Sequence, residues 1–453
     1  SRGERRWALR WAIVVVALSC LPYLLAWALA PEGTRYTGLL LNPLDGASYY
    51  AKMQQGARGD WLFHLPFTPE PHEGSPIFMF YLALGHLSRF LSLPIPLVYH
   101  AARAVAGLFL LLVAYAFIAC FIERTSLRRA AFGLLSVSAG FGWLLVLWSV
   151  LLADTWVAEG FVFLSILVNP HFSLAIGLML LLFLAVLTAG EQRPAGRRLI
   201  ATSVGGLLLA VVQPFAVPVV LVVLAVYLAL RTAFERRTPW SQALVTTALA
   251  IGAAPVVLYY FYLSRSNPAL AAWSAQNVTS SLPPWDYALG YGLVLLLAIP
   301  GLMSAVRRLR PTDIFLLAWV GSVAVLLYVP FALQRRFITG LHVPLAILAA
   351  MGLEQVVWKR VRPRRQALAT GLFIALTSLT NILVPLVTVA GVAAGRAPLV
   401  MTQGEAGACA WLAQNTTWTD TVLTPAESGQ FIPAWAGNRV VYGHPFETID
   451  AEA

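Results

Sequence analysis

The chain has 453 residues, of which 59% are hydrophobic and 11% charged. Soluble domains carry about 25% charged residues, so this composition excludes a soluble globular protein and points to a polytopic membrane protein. The formal net charge of +11 does not call for nucleic acid, because arginines that hold loops on the cytoplasmic side account for it.

Apolar runs near 20 residues mark the spans, and the basic loops orient them. Residues 11–30 form the first span, preceded by Arg2, Arg5, Arg6 and Arg10, which puts the N-terminus in the cytoplasm. The run lacks a small-residue cleavage site and is long enough to span, so no cleavable signal is evident. Residues 31–96 are then an outer loop. Within it lies 42–58, NPLDGASYYAKMQQGAR, where a single acid, Asp45, precedes a Tyr-rich amphipathic segment that reads as a helix beginning near Ala47. An acid at a membrane–water boundary is costly unless solvated, paired or used. As a solvated loop residue it would cap that helix; the alternative is catalysis.

Residues 77–93 are apolar, contain His86 and Arg89, and end in LPIP. If they crossed, every later loop would change side and the arginine clusters would face outward. The positive-inside rule therefore makes this segment interfacial. Further spans follow near 97–121, 130–152, 172–189, 199–212, 215–230, 241–263, 286–306, 312–330, 338–357 and 367–392, eleven with the first, and the C-terminus lies outside. Two of them, 199–212 and 215–230, are short and meet at Gln213-Pro214. Such a broken hairpin either reflects ordinary packing irregularity or lines a cavity that satisfies its backbone. No internal repeat is visible, which weakens a secondary-transporter reading.

The layout is a transmembrane domain over 1–392, with interfacial helices in the outer loop 31–96, and a small extracytoplasmic α/β domain over 393–453. In that tail 405–415 reads as a helix, 421–424 as a strand, 429–436 as a short helix and 439–442 as a strand. Cys20, Cys120 and Cys409 are far apart in sequence and suggest neither a disulfide framework nor a zinc cluster.

The outer side carries the polar inventory. Asp45, Tyr49, Tyr50, Lys52, His64, His72 and Glu73 lie in the first loop, and Asp154 and Glu159 in the second. Asn169-Pro-His171 opens the following span. Arg103 sits about two turns into the span at 97–121, at its outer end. Arg335 and Arg336 lie at an outer span mouth, against the positive-inside trend. A bound anion explains such arginines; snorkelling to outer headgroups is the alternative. His64, His72 and Glu73 could bind a structural zinc between the interfacial helices, but their spacing is not a recognised ligand motif and solvated loop residues are the favoured reading.

This order of parts resembles the GT-C superfamily of membrane glycosyltransferases. The matching features are Asp45 in LDGASYY after the first span, the interfacial helices at 47–58 and 77–93, Arg103 in YHAARAVAG, and QRRFITGLHVPLAILAA at 334–350. The last is similar to a motif of the protein mannosyltransferase and aminoarabinose transferase branch. The resemblance implies a helical membrane enzyme that takes a sugar, mannose by analogy, from a polyprenyl-phosphate donor on the extracytoplasmic side. There are departures. Leu44 stands before Asp45 where many relatives have an acidic pair, and no DxD motif occurs in the second outer loop. A divalent metal is therefore possible but not favoured, and no cofactor is certain.

In such a transfer a hydroxyl acceptor loses its proton as it attacks the anomeric carbon, which needs a general base. Asp45 is the candidate base. Arg335, Arg336 and Arg103 are candidates for the donor phosphate, where fixed cations stabilise the charge that develops. Tyr49, Tyr50, Asn169, His171 and Gln213 would line the substrate cavity. The partners implied are a polyprenyl-phosphate-linked sugar, an unknown hydroxyl acceptor and the cell-membrane bilayer, with no nucleic acid. A transporter or flippase for a lipid-linked substrate, or a non-catalytic scaffold on the same fold, remains the alternative. The topology has a direct check. External cysteine labelling should reach an introduced Cys at Gly429 and not one at Arg197; labelling of both, or of Arg197 alone, would overturn it.

Overall fold

In hydrocarbon every backbone N–H and C=O must be bonded within its own segment, so long apolar runs become helices. A computed structural model describes residues 2–449. Among the described residues eight helices are long and apolar enough to cross a membrane: Arg2–Leu29, Ile95–Ile118, Thr125–Trp148, Pro170–Leu187, Ala216–Glu235, Trp240–Ser266, Pro284–Arg308 and Pro363–Ala393. The three other expected runs are also helical but shorter. Pro311–Leu326 and His342–Trp358 are apolar, and Gly196–Val212 has 17 residues. The interfacial segment forms a helix over Met79–Leu91, 13 residues. At about 1.5 Å per residue it cannot cross a hydrocarbon layer of about 30 Å. Its two faces differ as an interfacial helix requires, with Tyr81 and Leu82 buried and Phe90 84% exposed.

Two compact units divide the chain. The first takes residues up to Ser19, Val105–Val257 and Thr279–Val384; the second takes Cys20–Ala104, Leu258–Val278 and the chain from Pro385 onward.

In the first unit the helices Pro284–Arg308 and His342–Leu353 meet at glycines. A Cβ on Gly301 would stand 2.0 Å from the Leu348 carbonyl oxygen, and one on Gly352 1.8 Å from that of Leu297. Lipid tails are as apolar as leucine, so close backbone approach and van der Waals packing, rather than the hydrophobic effect, hold such helices together. Trp319, with no exposed surface, fills the aromatic core of this unit against Phe183 and Phe315 at centroid distances of 4.7 and 5.8 Å.

The same device recurs in the second unit, between Pro43–Arg58 and Met79–Leu91. A Cβ on Gly56 would lie 2.1 Å from the Leu82 oxygen, and one on Gly85 2.0 Å from the Met53 oxygen. The tail belongs to this unit. Its strand Val400–Thr402 pairs antiparallel with Thr34–Tyr36 of the first loop, and Thr421–Val422 pairs in parallel with Arg439–Val440. The helix expected at 405–415 spans Gln403–Asn415 and opens on a capping box. Glu405 N–H donates to Thr402 Oγ1 (3.2 Å) and Thr402 N–H to Glu405 Oε2 (2.8 Å). The short helix expected at 429–436 is two single turns, Ala426–Gly429 and Ile432–Trp435. Phe67 from the loop joins Met401, Cys409, Phe431, Ile432 and Val440 in one apolar cluster.

The glycine contact gives a stability test. Gly85→Ala forces the two loop helices apart and should cost about 1–3 kcal/mol. Gly407→Ala, on an open helical site with nothing within 4 Å, should be neutral or stabilising by up to about 1 kcal/mol. Thermal unfolding of both variants in detergent decides; an equal response would remove the close-approach argument.

Candidate functional site

The first loop builds its site on one helix. Proline tolerates the first helical position because its missing N–H is unneeded there. Pro43 therefore opens the helix Pro43–Arg58, behind Asn42 in the left-handed region at φ 48°. The start expected near Ala47 is corrected by this proline, and so is the reading of Asp45 as a cap: Asn42 holds the N-cap position and Asp45 lies within the first turn. There the helix dipole favours a carboxylate. The Asp45 side chain is 49% exposed, and its Oδ1 lies 3.8 Å from Nε2 of the buried His444.

Ser48 and Lys52 continue the same helical face. Lys52 is 1% exposed and its Nζ stands 3.0 Å from Glu447 Oε1. Lys52 also donates to Ser48 Oγ, and Ser48 Oγ donates to Glu447 Oε1. The ammonium sits 4.5 Å over the Phe78 ring. Burial works to raise the Glu447 pKa, but the Lys52 charge beside it prevails and holds it below the ordinary carboxylate range.

Tyr49 stacks on Tyr81 at 4.3 Å. Tyr50 is fully buried, edge-on to Tyr99 at 5.1 Å. Among the described residues the Tyr50 and Tyr36 hydroxyls have no hydrogen-bond partner, and burial pushes both pKa values up. Arg103, 1% exposed, donates from Nε to His100 Nδ1 at 3.3 Å and lies 4.5 Å over the Tyr23 ring. His64 and His72 do not present a zinc pair. His72 Nε2 accepts from Leu65 N–H at 2.8 Å and its Nδ1 bonds the Glu70 carbonyl at 2.8 Å. Among the described residues no three His, Cys, Asp or Glu side chains are gathered to hold a metal.

Asn169, His171, Gln213, Arg335 and Arg336 belong to the first unit. Pro214 bars its predecessor from helical geometry, so Gln213 leaves the helix Gly196–Val212 at φ −151°. Its side chain is 3% exposed, and neither amide atom has a hydrogen-bond partner among the described residues. Arg335 and Arg336 occupy a 3-10 turn, Gln334–Ile338. The Arg335 guanidinium lies 4.4 Å over Trp156 and that of Arg336 5.7 Å over Phe215, the residue after Pro214. Arg336 Nε is buried and has no hydrogen-bond partner among the described residues. The turn is fixed behind by Gly340 N–H, which donates to the Glu159 carbonyl at 3.2 Å. Asn169 is 2% exposed and His171 7%, with the His171 ring 4.1 Å from that of Phe172.

Asp154, expected in the second outer loop, is buried. Its Oδ2 accepts from the N–H groups of Gly140 (2.9 Å) and Gly142 (3.0 Å), and burial raises its pKa to about 6. The sequence reading missed His444 and Glu447. GHPFET in the tail places them three residues apart, but nothing local connects them with the first loop.

No protein-family model matches the chain, and no curated protein does. Solved structures do match. One is the archaeal oligosaccharyltransferase AglB from Archaeoglobus fulgidus in complex with an inhibitory peptide and a dolichol-phosphate, at 14% identity and TM-score 0.52, over 97% of this chain and 65% of that one. The present chain thus spans about two thirds of that relative's length. Another is ArnT from Cupriavidus metallidurans bound to undecaprenyl phosphate, at 14% identity and TM-score 0.56, over 95% of this chain and 85% of that one. At such identity the likeness is one of fold, and the fold is that of the GT-C membrane glycosyltransferases.

Asp154 has a measurable signature. Its folded pKa of about 6 lies above the ordinary carboxylate value of 3.8, so the folded state keeps a proton that the unfolded chain has released. That stabilisation is full below about pH 4 and is lost as pH rises to about 6, by at most about 3 kcal/mol. Asp154→Asn should flatten this part of the stability-versus-pH curve. An unchanged slope in the variant would assign it to other groups.

Proposed function

We propose that the protein is a membrane glycosyltransferase that moves a sugar from a polyprenyl-phosphate donor to a hydroxyl acceptor on the extracytoplasmic side. One observation carries the proposal: Asp45 stands half exposed in the first turn of the first-loop helix, within a fold whose solved examples hold dolichol-phosphate and undecaprenyl phosphate.

The chemistry assigned to this chain's residues is one displacement. The Asp45 carboxylate takes the acceptor's proton as the acceptor oxygen bonds to the anomeric carbon. The bond from that carbon to the phosphate oxygen breaks, and polyprenyl phosphate leaves with the electron pair. A single attack inverts the anomeric configuration. Arg335 and Arg336 are proposed to hold the phosphate as its charge grows, and Arg103 is a separate candidate for that role. The open Nε of Arg336 and the unpartnered amide of Gln213 support an anionic or polyol ligand, because buried donors left unsatisfied cost about 1–3 kcal/mol each. Tyr49 and Tyr50 of the second unit, and Asn169 and His171 of the first, are proposed as substrate-site residues. The sugar is mannose by analogy only. The transmembrane part covers 1–392, and the segment 393–453 is extracytoplasmic.

The test is transfer of labelled sugar from a polyprenyl phosphate. Asp45→Asn keeps size but cannot take the proton, and should lower turnover about 10²–10⁴-fold with donor binding little changed. Arg336→Ala should weaken donor binding as well as turnover. Full activity in Asp45→Asn would leave the reading without its base.

A further inference from the structure

The tail segment around His444 reaches the first-loop helix at Asp45, and the hydrogen bonds around His444 fix what it can offer there. Phe446 N–H donates to His444 Nδ1 at 3.2 Å. Nδ1 is therefore an acceptor, and the neutral ring carries its hydrogen on Nε2. The protonated ring carries one there too, so Nε2 is a donor in both states. It is buried, has no hydrogen-bond partner among the described residues, and lies 3.8 Å from Asp45 Oδ1. A hydrogen bond needs an approach closer by about 0.8 Å, which the arrangement requires of a rotamer change at the half-exposed Asp45. The ring itself cannot drift. It packs on Phe67 at 5.4 Å, and three residues on, Glu447 is tied to Ser48 and Lys52 of the same helix.

We infer that His444 is a positioning residue for Asp45: its Nε2–H takes one carboxylate oxygen and turns the other toward the acceptor hydroxyl. The inference rests on the proposed transferase reading. His444 relays no proton in this arrangement, because Nε2 already bears one. The acceptor's proton passes to Asp45 and from there to solvent. The residue comes from the tail, some 400 positions from the helix it serves, so the base is complete only when that tail is in place.

The experiment uses the full chain in its own membranes. A set of polyprenyl-phosphate hexoses is offered as donors, and the best is carried into the variants. His444→Phe keeps a ring of similar shape and removes the donor; it should lower kcat about 10²-fold, the cost of a misplaced catalytic group, with the donor KM unchanged. His444→Gln puts an amide N–H at the same point and should recover at least about tenfold of that loss. In an Asp45→Asn background His444→Phe should add little, because the two residues act as a unit. A kcat for His444→Phe within about twofold of wild type overturns the inference and leaves the Asp45 reading standing. So does an equal loss in His444→Gln accompanied by a lowered melting temperature, or a double variant in which the two losses multiply. Absence of transfer by the wild-type chain with every donor overturns the transferase reading and this inference with it.

Discussion

A lysine with 1% of its surface exposed needs a reason to be there. Removing an ammonium from water costs several kcal/mol, and a single carboxylate repays this only with good geometry and further hydrogen bonds. Lys52 has both. Glu447 supplies the charge at 3.0 Å, Ser48 bridges the two, and the Phe78 ring face lies 4.5 Å below the ammonium. Deleting either partner would strand a buried charge, at a cost of about 3–5 kcal/mol. The pair therefore fixes the end of the described chain against the first-loop helix. The remaining contacts of the second unit agree with it. The Gly56 and Gly85 contacts bring the helix that follows Phe78 against Pro43–Arg58, and the strand pairing of 34–36 with 400–402 joins loop and tail a second time.

Polar groups in the first unit follow a different pattern. Some are satisfied: His342 accepts from Val162 N–H at 3.2 Å and meets Ser138 Oγ at 3.1 Å. Arg308 pairs with Asp313 at 2.8 Å, and Arg128 with Glu4. Others are not: Gln213 and Arg336, like Ser173, Trp319 and Ser322, have buried polar atoms that no described residue meets. Native interiors hold few such groups. Here two flank the same break in the helical structure, since Arg336 lies over Phe215 and Gln213 precedes Pro214. A break that costs backbone hydrogen bonds and also leaves side-chain donors open suits a place that a polar ligand completes.

The spans were legible because hydrocarbon leaves the backbone little choice. Each of the eleven apolar runs is helical, and the interfacial segment at 77–93 is a helix too short to cross. What escaped were features set by single residues or by distant ones. Pro43 starts the loop helix earlier than the apolar pattern suggested, and with it Asp45 moves from a cap into the first turn. Asp154 and Glu159 fall in what reads as an outer loop, yet both are buried. Turn-like composition says nothing about what folds over it. His444 and Glu447 had no local signal at all. Their meaning comes from the helix they pack on, and a pattern of spacings within ten residues does not contain it.

The two acids at this helix face, Asp45 on the helix and Glu447 from the tail, are placed differently, and the difference bears on the proposed function. Glu447 is matched by a full positive charge and a hydroxyl, and is held ionised. Such a carboxylate is a poor base, because taking a proton would unpair the lysine beneath it. Asp45, on the preceding turns, faces the ring N–H of His444 instead of a lysine and keeps about half of its surface open. A base must be reachable by its substrate and able to hold the proton it takes. The helix supplies the means for this separation. Residues 45, 48 and 52 lie on one face, with Lys52 at its buried end and Asp45 at its N-terminal, solvent-facing end. One short segment of tail covers both, fastening through Glu447 and presenting His444. Anchoring and the proposed chemistry thus fall to neighbouring residues of helix and tail, and the strength of the ion pair does not compromise the reactivity proposed for the carboxylate beside it.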